Sequence, residues 1–229
     1  EYLKEQLESI LNQENVEVAL YIRDDGSTDG TIEILREYSL LENVHVIFGE
    51  NVGFIRSYET LIIHAPKGFL YYAYADQDDV WYSDKLAVAI KYIGENTIKE
   101  KKHNDIDSKA VLYCCNQNCV DKERNFLYRR LPDDLKVDQL EIMDTLMNSF
   151  FSGCTMVLND ILLKNIQYTY KVAKKSLRVY HDSWTAVIAR TTGVIIYDKT
   201  PYMDFRRHDK NASTSLYGMN FRVVDLVKV

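Results

Sequence analysis

The sequence has few of the residues that interrupt regular structure. Its 229 residues include three prolines and nine glycines, which leaves little room for long linkers or disordered segments. The hydrophobic fraction of 46% and the charged fraction of 27% are typical of one large globular domain. No apolar run approaches the ~18 residues that a membrane-spanning helix requires, and no signal peptide is visible. We therefore expect a cytoplasmic protein whose association with membranes is at most peripheral.

Cysteine is also scarce, and acidic residues outnumber basic ones. The cysteines lack the paired C-x2-C spacing of a zinc site and have no histidine nearby in sequence, and they are expected to be reduced thiols. The net charge of −6 disfavours a general nucleic-acid binder. Any phosphate group is therefore expected to bind locally, through a metal ion or a few basic side chains.

The first part of the chain alternates between helical and extended patterns. Apolar residues at helical spacing predict helices at residues 3–11, 32–38, 54–64 and 83–93. Apolar and β-branched segments predict strands at residues 16–22, 44–48 and 69–75. Such alternation is typical of an α/β protein with a mostly parallel central sheet and helices on both faces. The second half is less regular, with helices predicted at 135–147 and 182–190, strands at 111–116, 153–158 and 193–197, and an extended segment at 201–207.

A cluster of carboxylates follows the aromatic residues 71–75. Asp76, Asp78 and Asp79 repel one another, so folding alone gives no reason to place them at the end of a strand. A divalent cation such as Mg²⁺ or Mn²⁺ takes oxygen ligands and cancels this repulsion. Asp76 and Asp78 project to the same side if the chain stays extended, whereas Asp79 is placed to cap the next helix. The sequence therefore predicts a metal site here, and the alternative is a solvated turn without metal.

A second acidic loop, residues 24–30, lies between the first strand and the next helix. Its carboxylates suit a helix N-terminus, where the helix dipole favours negative charge. The spacing also resembles a calcium-binding loop, but Arg36 stands where such a loop, counted from Asp25, requires a bidentate glutamate. A third interpretation places Asp25 against the sugar or base of a bound nucleotide.

Two further motifs carry groups suited to acid–base or phosphate chemistry. His181 and Asp182 stand at the start of a predicted helix, where they form either a cap or a site in which Asp182 is a general base. Residues 205–211 combine Arg206, Arg207 and His208. This segment is either a solvated basic turn or a diphosphate clamp whose histidine reaches the metal.

The order of these motifs resembles family 2 glycosyltransferases with the GT-A fold, especially the bacterial rhamnosyltransferase-like branch. The sequence reads DDGSTDGT, NVGF, DQDDVW, GCTMV, HDSW and FRRH in that order, and the resemblance extends over residues 1–212. The chain departs from the family where FRRH replaces YRxH. The resemblance also implies a first strand before the first helix, which we expect to lie outside this sequence.

The resemblance implies roles for the four acidic residues that match the family motifs. Asp25 is implied to contact the nucleoside, and Asp76 the ribose or the donor sugar. Asp78 is the implied ligand of Mg²⁺ or Mn²⁺. Asp182 is the implied catalytic base, which removes the proton from the acceptor hydroxyl.

Basic residues and the motifs of the second half have implied roles as well. Arg56, Arg207 and His208 are implied to hold the diphosphate, and His208 is also expected to reach the metal. The acceptor is expected to lie near the GCTMV and HDSW motifs, at Gly153, Cys154, His181 and Trp184. Within one catalytic domain, residues 1–98 are expected to bind the nucleotide sugar and residues 110–212 the acceptor, and residues 213–229 are expected to begin a C-terminal extension.

The implied activity is an inverting, metal-dependent transfer from a nucleotide-diphospho-sugar, either dTDP-rhamnose or a UDP-hexose. The acceptor is expected to be a saccharide or a lipid-linked saccharide in the synthesis of a bacterial surface polysaccharide, in the cytoplasm or at the inner face of the membrane. Two alternatives stay open. One is a nucleotidyltransferase that makes nucleotide sugars, and the other is a non-catalytic relative that binds sugar or metal.

Overall fold

The computed structural model describes residues 2–100, 109–136, 142, 150–173, 179–209 and 211. The helices are α1 (Leu3–Leu11), α2 (Thr31–Tyr38), α3 (Phe54–Ile63), α4 (Lys85–Glu100), α5 (Asp160–Ala173) and α6 (His181–Thr192). The strands are β1 (Leu20–Asp24), β2 (Val44–Phe48), β3 (Tyr71–Ala73), β4 (Val80–Trp81), β5 (Ala110–Val120), β6 (Phe126–Arg129), β7 (Met156–Asn159) and β8 (Gly193–Arg206). Most of the predicted helix 135–147 and the segment 213–229 lie outside the described residues. None of the described helices is long and apolar enough to cross a membrane.

Several elements of the first half form where their pattern predicts, whereas β3 is shorter than predicted, α4 is longer and β4 was not predicted. α2, β2 and α3 agree with the predicted bounds to within one residue, because each has a periodic apolar face to bury. β1 begins at Leu20, later than predicted, and pairs in parallel with β2 from Leu20 opposite Val44 to Asp24 opposite Phe48. α2 is the crossover that a parallel pair requires. The first acidic loop therefore follows the carboxyl end of β1.

The larger sheet is mixed. Its strand order is β3-β7-β5-β8-β4, and β6 pairs with β5 outside this path. Among the described strands of this sheet, β5 and β8 are parallel, whereas the β3–β7, β5–β7, β4–β8 and β5–β6 pairs are antiparallel. These directions correct the prediction of a mostly parallel sheet. Helix–strand alternation constrains strands that follow one another in sequence, but β3 and β4 pair with strands from the second half of the chain.

The hydrophobic core is built around β5, and helices cover both faces of this strand. Successive side chains of a strand point to opposite faces. Leu112 and Cys114 therefore pack among residues of α5 and α6 on one face, while Val111 and Tyr113 pack against α4 on the other. This confirms the predicted α/β arrangement with helices on both faces. All the cysteines are buried and free, in agreement with the predicted reduced thiols.

β8 brings the basic motif to the acidic loop. The sequence predicts separate segments at 193–197 and 201–207, but β8 is one strand from Gly193 to Arg206. Its pairing with β5 shifts register next to Pro201, which has no N–H group to donate to a ladder. Beyond this irregularity β8 pairs with β4, with Asp204 opposite Val80. Residues 205–208 therefore lie beside residues 76–79.

Candidate active site

Asp25 ties the first acidic loop to the loop that opens α3. Its carboxylate accepts hydrogen bonds from the N–H groups of Val52 and Gly53, each at 2.9 Å, and from the guanidinium of Arg23. Burial by itself raises the pKa of Asp25, but the hydrogen bonds from Val52, Arg23 and Gly53 outweigh it and leave the pKa below its usual value. The side chain remains 24% exposed, so an ionised carboxylate is held where a ligand can reach it.

Asp76 follows β3 and lies beside a half-buried tyrosine. Its Oδ1 accepts a hydrogen bond from the hydroxyl of Tyr58 at 2.8 Å. Burial raises the pKa of Asp76 to about 6; the Tyr58 hydrogen bond lowers it, and the charges of Asp78 and Asp182 raise it further. The fold thus brings Asp182, from the second half of the chain, close enough to influence Asp76. The sequence alone did not indicate that Asp182 lies close enough to raise the pKa of Asp76.

Asp78 is held by the segment that follows β8. Its Oδ2 lies 2.8 Å from Nε2 of His208 and accepts a hydrogen bond from Nδ2 of Asn211 at 3.1 Å. Its backbone carbonyl accepts from Nε of Arg206 at 3.1 Å. The side chains of Asp78 and His208 are 8% and 10% exposed. The structure therefore places together the two residues that the sequence predicts as metal ligands.

The donor atoms at Asp78 and His208 fit a divalent cation. A carboxylate oxygen and an imidazole nitrogen that converge to 2.8 Å can both ligate one ion if the imidazole is neutral at Nε2. Mg²⁺ prefers oxygen ligands alone, whereas Mn²⁺ and other transition metals also accept imidazole. This mixed donor set therefore suits Mn²⁺ better than Mg²⁺.

A second group of ligand atoms lies deeper, at Asp76, Asp79 and Cys154, all within 4.8 Å of one another. Its chemistry suits a hard cation less well, because a thiol is a soft ligand. Burial raises the pKa of the Cys154 thiol well above its usual range, and the charges of Asp79 and Asp76 raise it further. Because its thiol is a soft ligand, this group suits Mg²⁺ or Mn²⁺ less well than Asp78 with His208.

Asp79 does not cap α4, which corrects the prediction. It is fully buried, and its Oδ1 accepts a hydrogen bond from the backbone N–H of Arg206 at 3.3 Å. Burial raises its pKa well above the usual range, and the charges of Asp76 and Asp78 add to this. Helix α4 begins at Lys85, which is fully buried. The Nζ of Lys85 lies 2.5 Å from the carbonyl oxygen of Cys154 and contributes positive charge close to Asp79.

His181 is packed flat against an aromatic ring at the start of α6. Its ring stacks on Tyr58 with centroids 3.7 Å apart and meets the edge of Tyr74 at 5.0 Å. Neither ring nitrogen has a hydrogen-bond partner among the described residues. The close approach requires glycine at position 153, because a Cβ on Gly153 would lie 2.2 Å from Nε2 of His181.

Asp182 projects from the first turn of α6 at the edge of this packed region. It is half-buried, and its Oδ1 accepts a hydrogen bond from the N–H of Ser183 at 2.6 Å. Burial raises its pKa, and hydrogen bonds from the N–H groups of Ser183 and Gly153 lower it. The residue is therefore close enough to Asp76 to affect its pKa, and its side chain is partly exposed.

The other predicted site residues lie in more structural surroundings. Arg56 forms an ion pair with the buried Glu59, and the guanidinium of Arg207 lies over the ring of Phe205 at 5.6 Å. Trp184 donates from Nε1 to Thr169 at 2.9 Å and packs against the core. Gly153 and Cys154 are buried beneath the site. The functional roles of these residues remain predictions.

Several residues that hold the site were not predicted from the sequence. The half-buried Tyr58 bonds Asp76, and the buried Lys85 bonds the carbonyl oxygen of Cys154. Arg206 and Asn211 lie in the predicted segment 205–211, but their contacts with Asp78 were not predicted. Arg206 and Arg207 are adjacent, and only the tertiary contacts distinguish them. Asn211 belongs to the FRRH segment, so its position three residues after His208 was the one available signal.

The chain is similar in sequence to known glycosyltransferases. The family model for glycosyl transferase family 2 matches residues 1–98. Over 228 residues the chain is 28% identical to the dTDP-rhamnosyl transferase RfbG of Shigella flexneri, covering 92% of this chain and 70% of that protein. It is 32% identical over 127 residues to the chondroitin synthase of Escherichia coli, covering 55% of this chain and 17% of the synthase. The match of residues 1–98 to the family model and the similarity to RfbG over most of the chain confirm the predicted resemblance to family 2 glycosyltransferases.

Solved structures of S. aureus TarS share the fold. One has a TM-score of 0.60 at 18% identity and covers 90% of this chain and 57% of that one. Another, in complex with UDP-GlcNAc, has a TM-score of 0.61 at 17% identity and covers 92% of this chain and 56% of that one. These similarities confirm the GT-A-type α/β fold. The chain spans about half the length of the TarS chains.

The packing of His181 predicts a loss of stability in acid. Burial lowers the pKa of His181 from 6.5 to about 3. Between these values the unfolded chain binds a proton at this residue and the folded chain does not, so the free energy of unfolding decreases as the pH falls from 6.5 towards 3. The contribution is at most about 1.4 kcal/mol per pH unit.

Urea titrations of the wild type and of His181→Asn at a series of pH values measure this contribution. The slope of the unfolding free energy against pH is compared between the two proteins, and the difference isolates His181 from other groups such as Asp76. Data above about pH 7.5 give the effect of the substitution apart from protonation. If the unfolding free energies of the two proteins change in parallel between pH 6.5 and 4, His181 is protonated in the folded state at the same pH as in the unfolded chain, which would contradict this prediction.

Proposed function

We propose that this chain carries the catalytic region of an inverting glycosyltransferase, which moves a sugar from a nucleotide-diphospho-sugar to an acceptor hydroxyl. The observation that carries the proposal is the position of Asp76 next to the start of α6: Tyr58 donates to Asp76 at 2.8 Å and stacks on His181, the residue before Asp182. The match of residues 1–98 to the model of glycosyl transferase family 2 supports the reaction class. In this proposal residues 1–98 bind the nucleotide sugar and residues 110–212 bind the acceptor.

The proposed reaction is one displacement at the anomeric carbon. The acceptor oxygen forms a bond to this carbon while the bond to the diphosphate oxygen breaks, and the nucleoside diphosphate leaves with the bonding electron pair. Asp182 accepts the proton of the hydroxyl. Burial raises the pKa of Asp182, which strengthens it as a base. A single displacement inverts the anomeric centre, so no covalent nucleophile is needed.

The donor is proposed to lie along the ends of β1 and β3. Asp25 suits the nucleoside, because its ionised carboxylate is held rigidly and remains partly exposed. Asp76 suits a hydroxyl of the ribose or the sugar, since Tyr58 fixes one of its oxygens. Arg56 and Arg207 are proposed to contribute positive charge towards the diphosphate.

Asp78 and His208 are proposed to hold Mg²⁺ or Mn²⁺. The support is the convergence of their ligand atoms and the orientation of both by Asn211, which bonds Asp78 and whose Oδ1 accepts from the N–H of His208 at 2.7 Å. When bound, such an ion neutralises the negative charge that grows on the departing phosphate.

The donor is proposed to be dTDP-rhamnose or a UDP-hexose. One relative is named as a dTDP-rhamnosyl transferase, and the similar TarS structure contains UDP-GlcNAc. We propose a saccharide or lipid-linked saccharide of a bacterial surface polysaccharide as acceptor, and a reaction in the cytoplasm or at the inner face of the membrane.

Donor binding is expected to depend on metal through Asp78. A ligand that binds only the folded protein stabilises it by about 2.7 kcal/mol at a hundred times its Kd, which raises Tm by several degrees. We expect dTDP or UDP with Mn²⁺ to raise Tm of the full-length protein, and EDTA to abolish the shift. Asp78→Asn is expected to lose the effect of Mn²⁺, because an amide is a much weaker ligand than a carboxylate.

Asp209→Asn is the matched control, since this carboxylate lies in the same segment but is 95% exposed. It should keep the full Mn²⁺-dependent shift in Tm. A shift that survives in Asp78→Asn, or that is lost equally in both variants, would argue against Asp78 as the ligand. Release of pyrophosphate from a nucleoside triphosphate would favour a nucleotidyltransferase over sugar transfer.

A further inference from the structure

A group of aromatic rings runs from the buried interior to the surface beside Asp182. This aromatic wall consists of Phe54, Tyr58, Tyr74, Tyr180 and His181. Its inner rings, Tyr74 and His181, are 8% and 4% exposed. Its outer rings, Phe54 and Tyr180, are 40% and 60% exposed, with centroids 6.3 Å apart. Large aromatic side chains exposed together are typical of binding surfaces.

The rings of Tyr58 and His181 hold Phe54 in place. Phe54 meets the edge of Tyr58 at 5.0 Å and that of His181 at 5.6 Å. Tyr58 and His181 are themselves stacked at 3.7 Å. Phe54 therefore rests on a rigid base, and little conformational entropy is lost when a ligand covers it.

The exposed rings border both parts of the candidate active site. On one side, Tyr58 donates its hydroxyl hydrogen bond to Asp76. On the other side, Tyr180 is the N-cap residue of α6, immediately before His181 and Asp182. A molecule lying on Phe54 and Tyr180 is thus next to the proposed base and to the proposed donor site.

The residues predicted from the sequence to contact the acceptor offer little surface. Gly153, Cys154 and His181 are buried, and the indole of Trp184 is bonded to Thr169. A sugar ring has an apolar face of C–H groups and a rim of hydroxyls. The apolar face packs on aromatic rings while a hydroxyl at the rim remains free for a base.

We propose that Phe54 and Tyr180 form the binding surface for the saccharide ring of the acceptor and orient its hydroxyl towards Asp182. This inference rests on the proposed glycosyltransferase function. The surface accounts for acceptor affinity and selects sugars with an uninterrupted C–H face. Donor binding depends on other residues.

The test is steady-state kinetics of the full-length protein with dTDP-rhamnose, UDP-glucose and UDP-GlcNAc as donors. Acceptor probes are the methyl and octyl glycosides of rhamnose, glucose and N-acetylglucosamine, and donor hydrolysis without acceptor is measured in parallel. Phe54→Ala and Tyr180→Ala are each expected to raise the acceptor KM roughly 3- to 10-fold, as for the loss of one aromatic contact. The donor KM and hydrolysis without acceptor should not change.

Conservative and matched variants separate binding from folding. Phe54→Tyr and Tyr180→Phe keep the rings and should restore the acceptor KM. Phe126→Ala and Tyr168→Ala remove rings that are 61% and 68% exposed elsewhere, and they should behave as the wild type. All these side chains are exposed, so the variants should fold.

The possible outcomes are distinct. A wild type that cleaves none of the donors overturns the proposed function and this inference with it. If the wild type cleaves donor but glycosylates no probe, or if the alanine variants keep the acceptor KM, the inference alone is overturned. If the acceptor KM rises with octyl but not with methyl glycosides, the rings bind a lipid chain, and this result also overturns the inference. A rise in acceptor KM with both kinds of glycoside supports it.

Discussion

Replacing Asp182 by asparagine is expected to lower kcat by roughly 10²–10⁴-fold, the usual contribution of a general base. The amide has nearly the same shape, and its oxygen can still accept the hydrogen bond from Ser183. It cannot take a proton from the acceptor hydroxyl. Burial raises the pKa of Asp182, so the base is stronger than an exposed carboxylate and its removal should be correspondingly severe.

The measurement is the rate of sugar transfer with the donor identified by thermal shift. Asp134→Asn, which removes an exposed carboxylate, should keep the wild-type rate. The Mn²⁺-dependent shift in Tm should persist in Asp182→Asn, since donor binding does not require the base. Transfer near the wild-type rate, with donor binding intact, would exclude Asp182 as the base.

Replacing Gly153 by alanine is expected to destabilise the fold by about 2–3 kcal/mol, as overpacking of a buried site does. The new Cβ would lie 2.2 Å from Nε2 of His181 and 3.1 Å from its Cε1. His181 has little room to move, because it is stacked on Tyr58 at 3.7 Å and bounded by Tyr74. A displacement of His181 also moves Asp182, and a shift near 1 Å can lower activity about 10²-fold.

Chemical denaturation and transfer rates of Gly153→Ala, His181→Ala and the double variant form the test. If the clash is the cause, the double variant loses less stability than the sum of the single ones, because the two sites are coupled. Gly94→Ala is the control: nothing lies within 4 Å of its added Cβ, and in the interior of α4 it should stabilise by up to about 1 kcal/mol. Additive effects at positions 153 and 181 would contradict the packing argument.

The elements of the first half could be predicted because their signals are local. α3 and β2 carry apolar periodicity, and the spacing of apolar residues depends on nothing outside each segment. A metal site at Asp76 and Asp78 could also be predicted locally, because like charges close together in sequence require a compensating partner. The motif order was sufficient to predict the family.

The partners of these residues could not be predicted in the same way. The direction of β7 against β3 and β5 depends on where distant segments meet. Asp79 was predicted as a cap from its neighbours in sequence, whereas its burial comes from β8. The stacking of His181 on Tyr58, and hence the need for glycine at position 153, joins three distant parts of the chain.

The sequence by itself determined the α/β class, the positions of the acidic loops and the resemblance to a family, because periodicity and motif chemistry are properties of short segments. It determined this partly through what it has little of, since scarce proline and glycine indicate continuous helices and strands. Only the tertiary structure decided which carboxylate meets which partner: Asp78 with His208, Asp79 with the backbone of Arg206, and Asp76 with Tyr58. Burial and distance set both pKa values and ligand geometry, and they arise when segments far apart in sequence pack together.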